Sequence, residues 1–369
     1  RTFLLPPVKG GKPENVVIPR NAIQARLIGE PIKDKDGNDT DEYPVGSLVH
    51  RSENLGPPKK GADNMLAVIG DARKLALDVR LINPNYGDQP GSKPHVVADN
   101  IARIYRKWHN QKGTQLVFLD ISTPAKNREG EAKAIRELVK KAEGGDISAQ
   151  EKLDDMTPDE LDVLSGNKFS VYDDMRRKMV DRGIPDAEIA FIHDYGTPAA
   201  KDKLFKAVNN GTIRFLLGST PKMGAGTNVQ KRLVGLHHID APWRPSDLEQ
   251  REGRIIRRGN ELYERDPENF EVAIFRYATE QTYDTRRWQI LEHKARGIEQ
   301  LRKYDGTLNE IDDIEGEAAN SADMKAAASG DPLILEETQL RNEVRRLEAL
   351  QASRADESQS MVRRARDQA

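Results

Sequence analysis

The chain is predicted to be an α/β protein built on a parallel sheet with helices on both faces. Two observations carry this. Short apolar runs at 115–120 (QLVFLD), 188–193 (EIAFIH), 212–217, 233–240 and 270–277 alternate with stretches of helical spacing. That is the pattern of strands joined by right-handed helical crossovers. The run QLVFLD is also apolar in succession instead of alternating, as expected where both faces of a strand are covered.

Taken in order, residues 1–62 are an irregular lead-in rich in Pro, Gly, Asp and Lys, a remnant or edge of a neighbouring domain. Within it, 29–46 (GEPIKDKDGNDTDEYPVG) carries turn residues throughout and reads as an exposed loop or hairpin tip. Residues 63–110 form a helical connector. Met65, Ile69, Leu75 and Val79 give helical spacing over 64–81, and a second helix covers 98–110. Residues 111–280 form the α/β domain, with 127–168 an inserted segment, charged, helical and poor in core residues. Ser170 caps a helix whose buried face holds Val171, Met175 and Met179. Helices are expected at 197–209 and at 246–258, the latter capped by Ser246. Another over 280–296 belongs to a bracing helix that closes the body at 281–304. An acidic linker follows at 305–330. A long charged helix at 331–369 opens on Asp331-Pro332, and Leu333, Leu340, Val344 and Leu347 form its apolar stripe.

Composition narrows the function classes. With 369 residues the chain has room for two domains, or for one with large appendages. Hydrophobic residues make up 37% and charged residues 32%, so this is a polar chain with no apolar stretch of membrane length. There are 0 cysteines, which excludes disulfides, thiolate metal sites and cysteine nucleophiles. A reducing cytoplasm is the expected location, with no membrane partner. The start at Arg1, without a signal-peptide layout, is expected of a piece of a longer polypeptide.

The most informative segment is 215–260. Gln250, Gly253, Arg254 and Arg257 spell Q-x-x-G-R-x-x-R, and upstream Gly224, Gly226, Thr227 and Asn228 spell G-x-G-T-N. On a continuous helix Gln250, Arg254 and Arg257 would share one face. Two arginines one turn apart without evident carboxylate partners suit a polyphosphate. The two glycines permit positive φ and expose amides, while Thr227 and Asn228 add hydrogen-bonding side chains, which suits phosphate or a nucleotide sugar. Glu249 and Glu252 offer the competing reading, a solvated helix of ion pairs.

This pair of motifs resembles motifs V and VI of the superfamily 2 helicases, and the segment looks most like the Snf2-type DNA translocases. The resemblance extends over most of 65–295. It takes in ARKLALDVRLINP, QLVFLD, FIHDYGTPAAKDKLFKAVNNGTIRFLLGS, HHIDAPWRPSDLEQREGRIIRRG and FRYATEQTYDTRRWQILEHK. The style is also similar to large plasmid and phage proteins that join such a motor to a DNA methylase. The resemblance implies a RecA-like second (C-terminal) motor lobe, working with ATP and Mg²⁺ bound mainly by a first lobe, on DNA, with duplex favoured. Arg254 and Arg257 would reach the γ-phosphate, Arg257 as the arginine finger, and Gln250 would orient water or couple the lobes. Gly224, Gly226, Thr227, Asn228 and Asp240 would link nucleotide state to DNA, with Trp243 near the lobe interface. Arg286, Arg287 and Lys294 are candidate DNA contacts on the bracing helix.

Departures matter as much. A complete motor needs G-x-x-x-x-G-K-[ST] and an Asp-Glu pair on a strand. GGKPEN, GPPKKGAD and GSKPH fail that spacing, and Asp41-Glu42 and Asp356-Glu357 follow no buried strand. The chain alone is therefore expected to be inactive as an ATPase. Asn83-Pro84-Asn85-Tyr86 brushes against the turn of adenine-N6 methyltransferases but lacks its second proline, and a turn after a helix explains it. His237 and His238 are adjacent in a strand and point to opposite faces, a poor arrangement for one metal, so no metal site is expected. The reading from a different class is a non-catalytic module with a degenerate lobe, binding nucleic acid or protein through the C-terminal helix. That reading gains if Arg254 or Arg257 is tied into a buried carboxylate pair.

Overall fold

The computed structural model describes residues 5–40, 42–56, 63–122, 124–143, 146, 148, 149, 152, 169–223, 227–302, 324–326 and 344. Gly224 and Gly226, most of the insertion beyond residue 143, the linker at 305–330 apart from 324–326, and the helix at 331–369 apart from Val344 lie outside the described residues.

Six strands form one sheet in the order β1-β6-β5-β2-β4-β3. They are β1 (Glu14–Ile18), β2 (Thr114–Phe118), β3 (Ile189–Phe191), β4 (Phe215–Gly218), β5 (Leu233–His238) and β6 (Ala273–Thr279). Every neighbouring pair is parallel. The three central strands β2, β4 and β5 are buried along their whole length, which is why they read as unbroken apolar runs. Helices α1 (Ala22–Ile28), α2 (Leu48–Glu53), α3 (Met65–Leu77) and α4 (Lys93–Lys107) precede β2. Then follow α5 (Ala125–Glu143), α6 (Val171–Val180), α7 (Pro198–Asn209), the single turn α8 (Thr220–Met223), α9 (Pro245–Glu252), α10 (Glu261–Arg265) and α11 (Tyr283–Arg302).

Local chemistry fixes several boundaries. Ser170 accepts from the Asp173 amide and caps α6, whose Val171, Met175 and Met179 are all 0% exposed. Thr197 caps α7 by accepting from the Ala200 amide, with Pro198 at the first helical position. Asn83 caps the turn at Pro84–Tyr86 by accepting from the Asn85 amide, so the NPNY segment is an ordinary turn.

Three expectations are corrected. Residues 1–62 are not wholly irregular, because β1 adds an edge strand beside β6. Its pattern was too weak to read: Val17 is 57% exposed and only Ile18, at 2%, is buried. Helix α9 starts at Pro245 with Arg244 as its N-cap, and the Asp247 carboxylate accepts from the Arg244 amide, so Ser246 is not the cap. The same helix ends at Glu252 instead of running to 258. After it the amides of Arg254 and Ile255 bond back to Arg251 and Glu252, three residues earlier. Ile255, at 0% exposure, is drawn into the core by that tightening.

Two apolar clusters matter for the site. The larger wraps the sheet. A smaller one joins Ile28, Leu48 and Val49 of the lead-in to Val68, Ile69 and Leu75 of α3, Tyr283 of α11 and Met324. Lys93, completely buried at the start of α4, forms an ion pair with Asp284 of α11, so the connector and the bracing helix are tied to one body.

Candidate functional site

In an open parallel sheet, ligands gather outside the carboxyl ends of the strands where the strand order reverses. Here that place is the end of β2, because the chain passes from β4 to β5 across it. Three polar residues stand there: Asp120 just past β2, Thr220 just past β4 and Asp240 just past β5.

Arg251 of α9 binds them all. Its Nη2 donates to Asp120 Oδ2 at 2.6 Å and Asp240 Oδ1 at 3.4 Å, its Nη1 to the Asp240 carbonyl at 3.0 Å, and its Nε to Thr220 Oγ1 at 2.7 Å. The guanidinium also lies over the Phe118 ring, 5.0 Å from its centroid. Asp120 accepts further from the Thr220 amide at 2.6 Å, and Asp240 Oδ2 from the amides of Asp120 and Ile121 at 2.7 and 3.0 Å. Arg251 is 1% exposed, and with two carboxylates and a hydroxyl on its donors it has little left for a ligand. The sequence motif assigns Arg251 no role. The signal that would have found it is the pair of aspartates that end adjacent central strands, since buried carboxylates at that spacing require a shared cation.

Arg254 and Arg257 are treated differently. Arg254 Nη1 donates to the Thr227 carbonyl at 3.0 Å, and Arg257 Nη1 to Asn228 Oδ1 at 2.8 Å. The two motifs thus meet, although not on one helical face. Among the described residues no carboxylate lies within ion-pair distance of either guanidinium. Partial burial lowers the Arg254 pKa from its ordinary value, and the like charge of Arg257 lowers it further. Arg257 and Asn228 are exposed, while Thr227 is buried with its hydroxyl on the Met223 carbonyl. Gln250 is exposed on α9.

The other expected site residues fall elsewhere. Asp240 is 1% exposed and is bound by Arg251 and by the amides of Asp120 and Ile121. Arg286 and Arg287 are buried at 8% and 6% and do not form an outward track. Arg287 donates to the carbonyls of Pro242 and Trp243 at 3.2 and 2.5 Å and stacks on the Trp243 ring at 4.3 Å. From the sequence alone Arg286 and Arg287 stood as candidate DNA contacts, because the loop that Arg287 grips lies some forty residues away. Lys294 is half-buried.

The histidines turn to opposite faces, as the strand geometry requires. His237 bonds Tyr277 Oη and Gln115 Oε1 at 2.9 and 2.8 Å, and burial pushes its pKa down to about 3. His238 faces α9, with Glu252 Oε1 3.4 Å away, and burial lowers it to about 4. Neither is placed with a third ligand. Among the described residues the acidic group compact enough for a metal is Asp78, Asp88 and Asp174. Arg80 pairs with all three at 2.7 to 3.0 Å, and Lys178 with Asp88 and Asp174, so cations of the protein already occupy it.

A parallel sheet of this order, with its polar residues massed at the strand carboxyl ends, defines a RecA-like α/β lobe. Residues 152–259 match the family described as the helicase conserved C-terminal domain. Among solved structures, the C-terminal part of the Fun30 ATPase domain is similar at 12% identity and a TM-score of 0.40, over 91% of this chain and 99% of that one. No curated protein matches the chain significantly. Among the described residues no helix is long and apolar enough to cross a membrane.

Proposed function

We propose that this lobe is the second half of a cytoplasmic, ATP-dependent DNA translocase, and that Arg257, assisted by Arg254, is its arginine finger. The observation that carries this reading is the state of the two guanidiniums. They stand beside each other at the carboxyl edge of a helicase C-terminal domain and, among the described residues, are bonded only to neutral oxygens. Two like charges left without a described carboxylate favour a polyanion between them, and the phosphates of ATP fit that demand. The scaffold reading would gain from either arginine in a buried carboxylate pair. It is Arg251 that has one.

Among the described residues no free acidic group is placed to hold Mg²⁺. The compact acidic group is neutralised by Arg80 and Lys178, so no step is assigned to a metal here. ATP, held mainly by a first lobe, supplies the phosphoryl group that is transferred to water. The lobe's own residues then do four things. Arg254 orients the γ-phosphate from a partly buried position. Arg257 stabilises negative charge that develops on the equatorial oxygens, a contribution worth roughly 10³–10⁵ in kcat for such a finger. Thr227 and Asn228, bonded to the arginines, would couple the presence or absence of phosphate to the nucleic acid. Gln250, exposed on α9, would orient water or meet the other lobe.

The test uses the longest natural polypeptide that contains this chain. DNA-stimulated ATP hydrolysis should fall by roughly 10³–10⁵ in Arg257→Ala while ATP binding persists. Unchanged turnover in that variant would return the chain to the class of binding modules.

A further inference from the structure

We infer that Asn209, at the last turn of α7, is a positioning residue for the arginine finger, a role that rests on the functional reading above. Arg257 finds its place through Asn228, and Asn228 is itself held from the other side. Asn209 Nδ2 donates to the Asn228 carbonyl at 2.7 Å, and Asn209 Oδ1 accepts from the Lys231 amide at 3.2 Å. One carboxamide thereby closes both ends of the turn 228–231, in the manner of a staple. Val229 between them is 1% exposed and anchors the turn to the core. The Lys231 side chain points away to Glu261 at 3.0 Å, so it does not compete for Asn209.

The consequence follows from geometry. Asn228 is exposed and belongs to no helix or strand, so its side-chain oxygen has no regular ladder to fix it. Without Asn209 the Asn228 backbone is free to rotate, and the oxygen that accepts from Arg257 at 2.8 Å moves with it. A finger contributes only if it is held where the charge develops, and a shift of about 1 Å costs on the order of 100-fold. Asn209 touches neither guanidinium among its hydrogen bonds, so its effect is exerted entirely through Asn228.

Three variants separate this from a merely structural role. In the longest natural polypeptide, Asn209→Ala should lower kcat by on the order of 10- to 100-fold with KM for ATP unchanged. Added to Arg257→Ala it should lower kcat no further, because residues acting through one contact are not additive. On the present chain, which needs no nucleotide for this readout, Asn209→Ala should speed amide hydrogen exchange at Lys231. Asn209→Asp keeps the acceptor for Lys231 but cannot donate to Asn228, so it should restore the protection without restoring turnover. Full turnover in Asn209→Ala, independent losses in the double variant, unchanged exchange at Lys231, or rescue of turnover by Asp would each overturn the assignment. If Arg257→Ala itself keeps full turnover, the functional reading fails first, whatever the exchange experiment shows.

Discussion

Arg251 and Arg257 come from the same short segment, yet the fold uses them in opposite ways. Arg251 is at 1% exposure and bound to Asp120, Asp240 and Thr220. Arg257 is exposed and bound to one amide oxygen. The difference is the distance from the strand ends. Arg251 is still on α9 and points down onto β2 and β5, where two carboxylates wait. Past Glu252 the backbone tightens, and the next arginines swing outward to the turn at Thr227 and Asn228. An arginine with carboxylate partners holds structure, whereas one without them is available for a ligand's charge.

Ways to break that contrast begin with Arg257. Its replacement by Ala should cost the roughly 10³–10⁵ in kcat expected of a finger and leave thermal stability unchanged. Arg251→Ala should do the reverse in kind. Stranding Asp120 and Asp240 should destabilise the lobe by about 3–5 kcal/mol, read from denaturant unfolding, because removing one member of a buried ion pair leaves uncompensated charge. Should Arg251→Ala leave stability untouched, the division between structural and functional arginines collapses.

A smaller effect sharpens the picture of the sheet beneath. His237 is held neutral in the fold, with a pKa of about 3 against an ordinary 6.5. The unfolded chain therefore binds the extra proton between those values, and stability is full above pH 6.5 and declines as pH falls. Each such histidine contributes up to ~1.4 kcal/mol per pH unit to that slope. His237→Asn should flatten the acid limb by this amount, as measured by unfolding at pH 5 and 6. An equal slope in the variant would mean that the imidazole is charged in the fold. The smallest expected change is at the α6 cap: Ser170→Ala should cost ~1 kcal/mol, since the Asp173 amide loses its acceptor.

The sheet was legible because its central strands are buried on both faces and so carry uninterrupted apolar runs. The cap at Ser170 was legible because it acts through neighbouring residues. Strand β1 was not, since an edge strand with Val17 in solvent has little pattern to offer. The meeting of Arg254 and Arg257 with Thr227 and Asn228 could be anticipated from motif proximity. The tightening after Glu252 could not, because it depends on Ile255 finding the core. The partners of Arg251 and Arg287 were not legible, for one shared reason. Asp120, Asp240 and the Pro242–Trp243 carbonyls are brought close only by the fold, so spacing along the chain says nothing of them.

The central claim, that Arg257 is reserved for charge arising in the transition state, is tested most directly by titration calorimetry on the longest natural polypeptide. ADP with aluminium fluoride, which mimics the transferring phosphoryl group, is compared with ATP in the wild type and in Arg257→Ala. Weaker binding of the mimic by about the factor lost from kcat, with ATP affinity unchanged, is the predicted result. Equal weakening of both, or of neither, would contradict it.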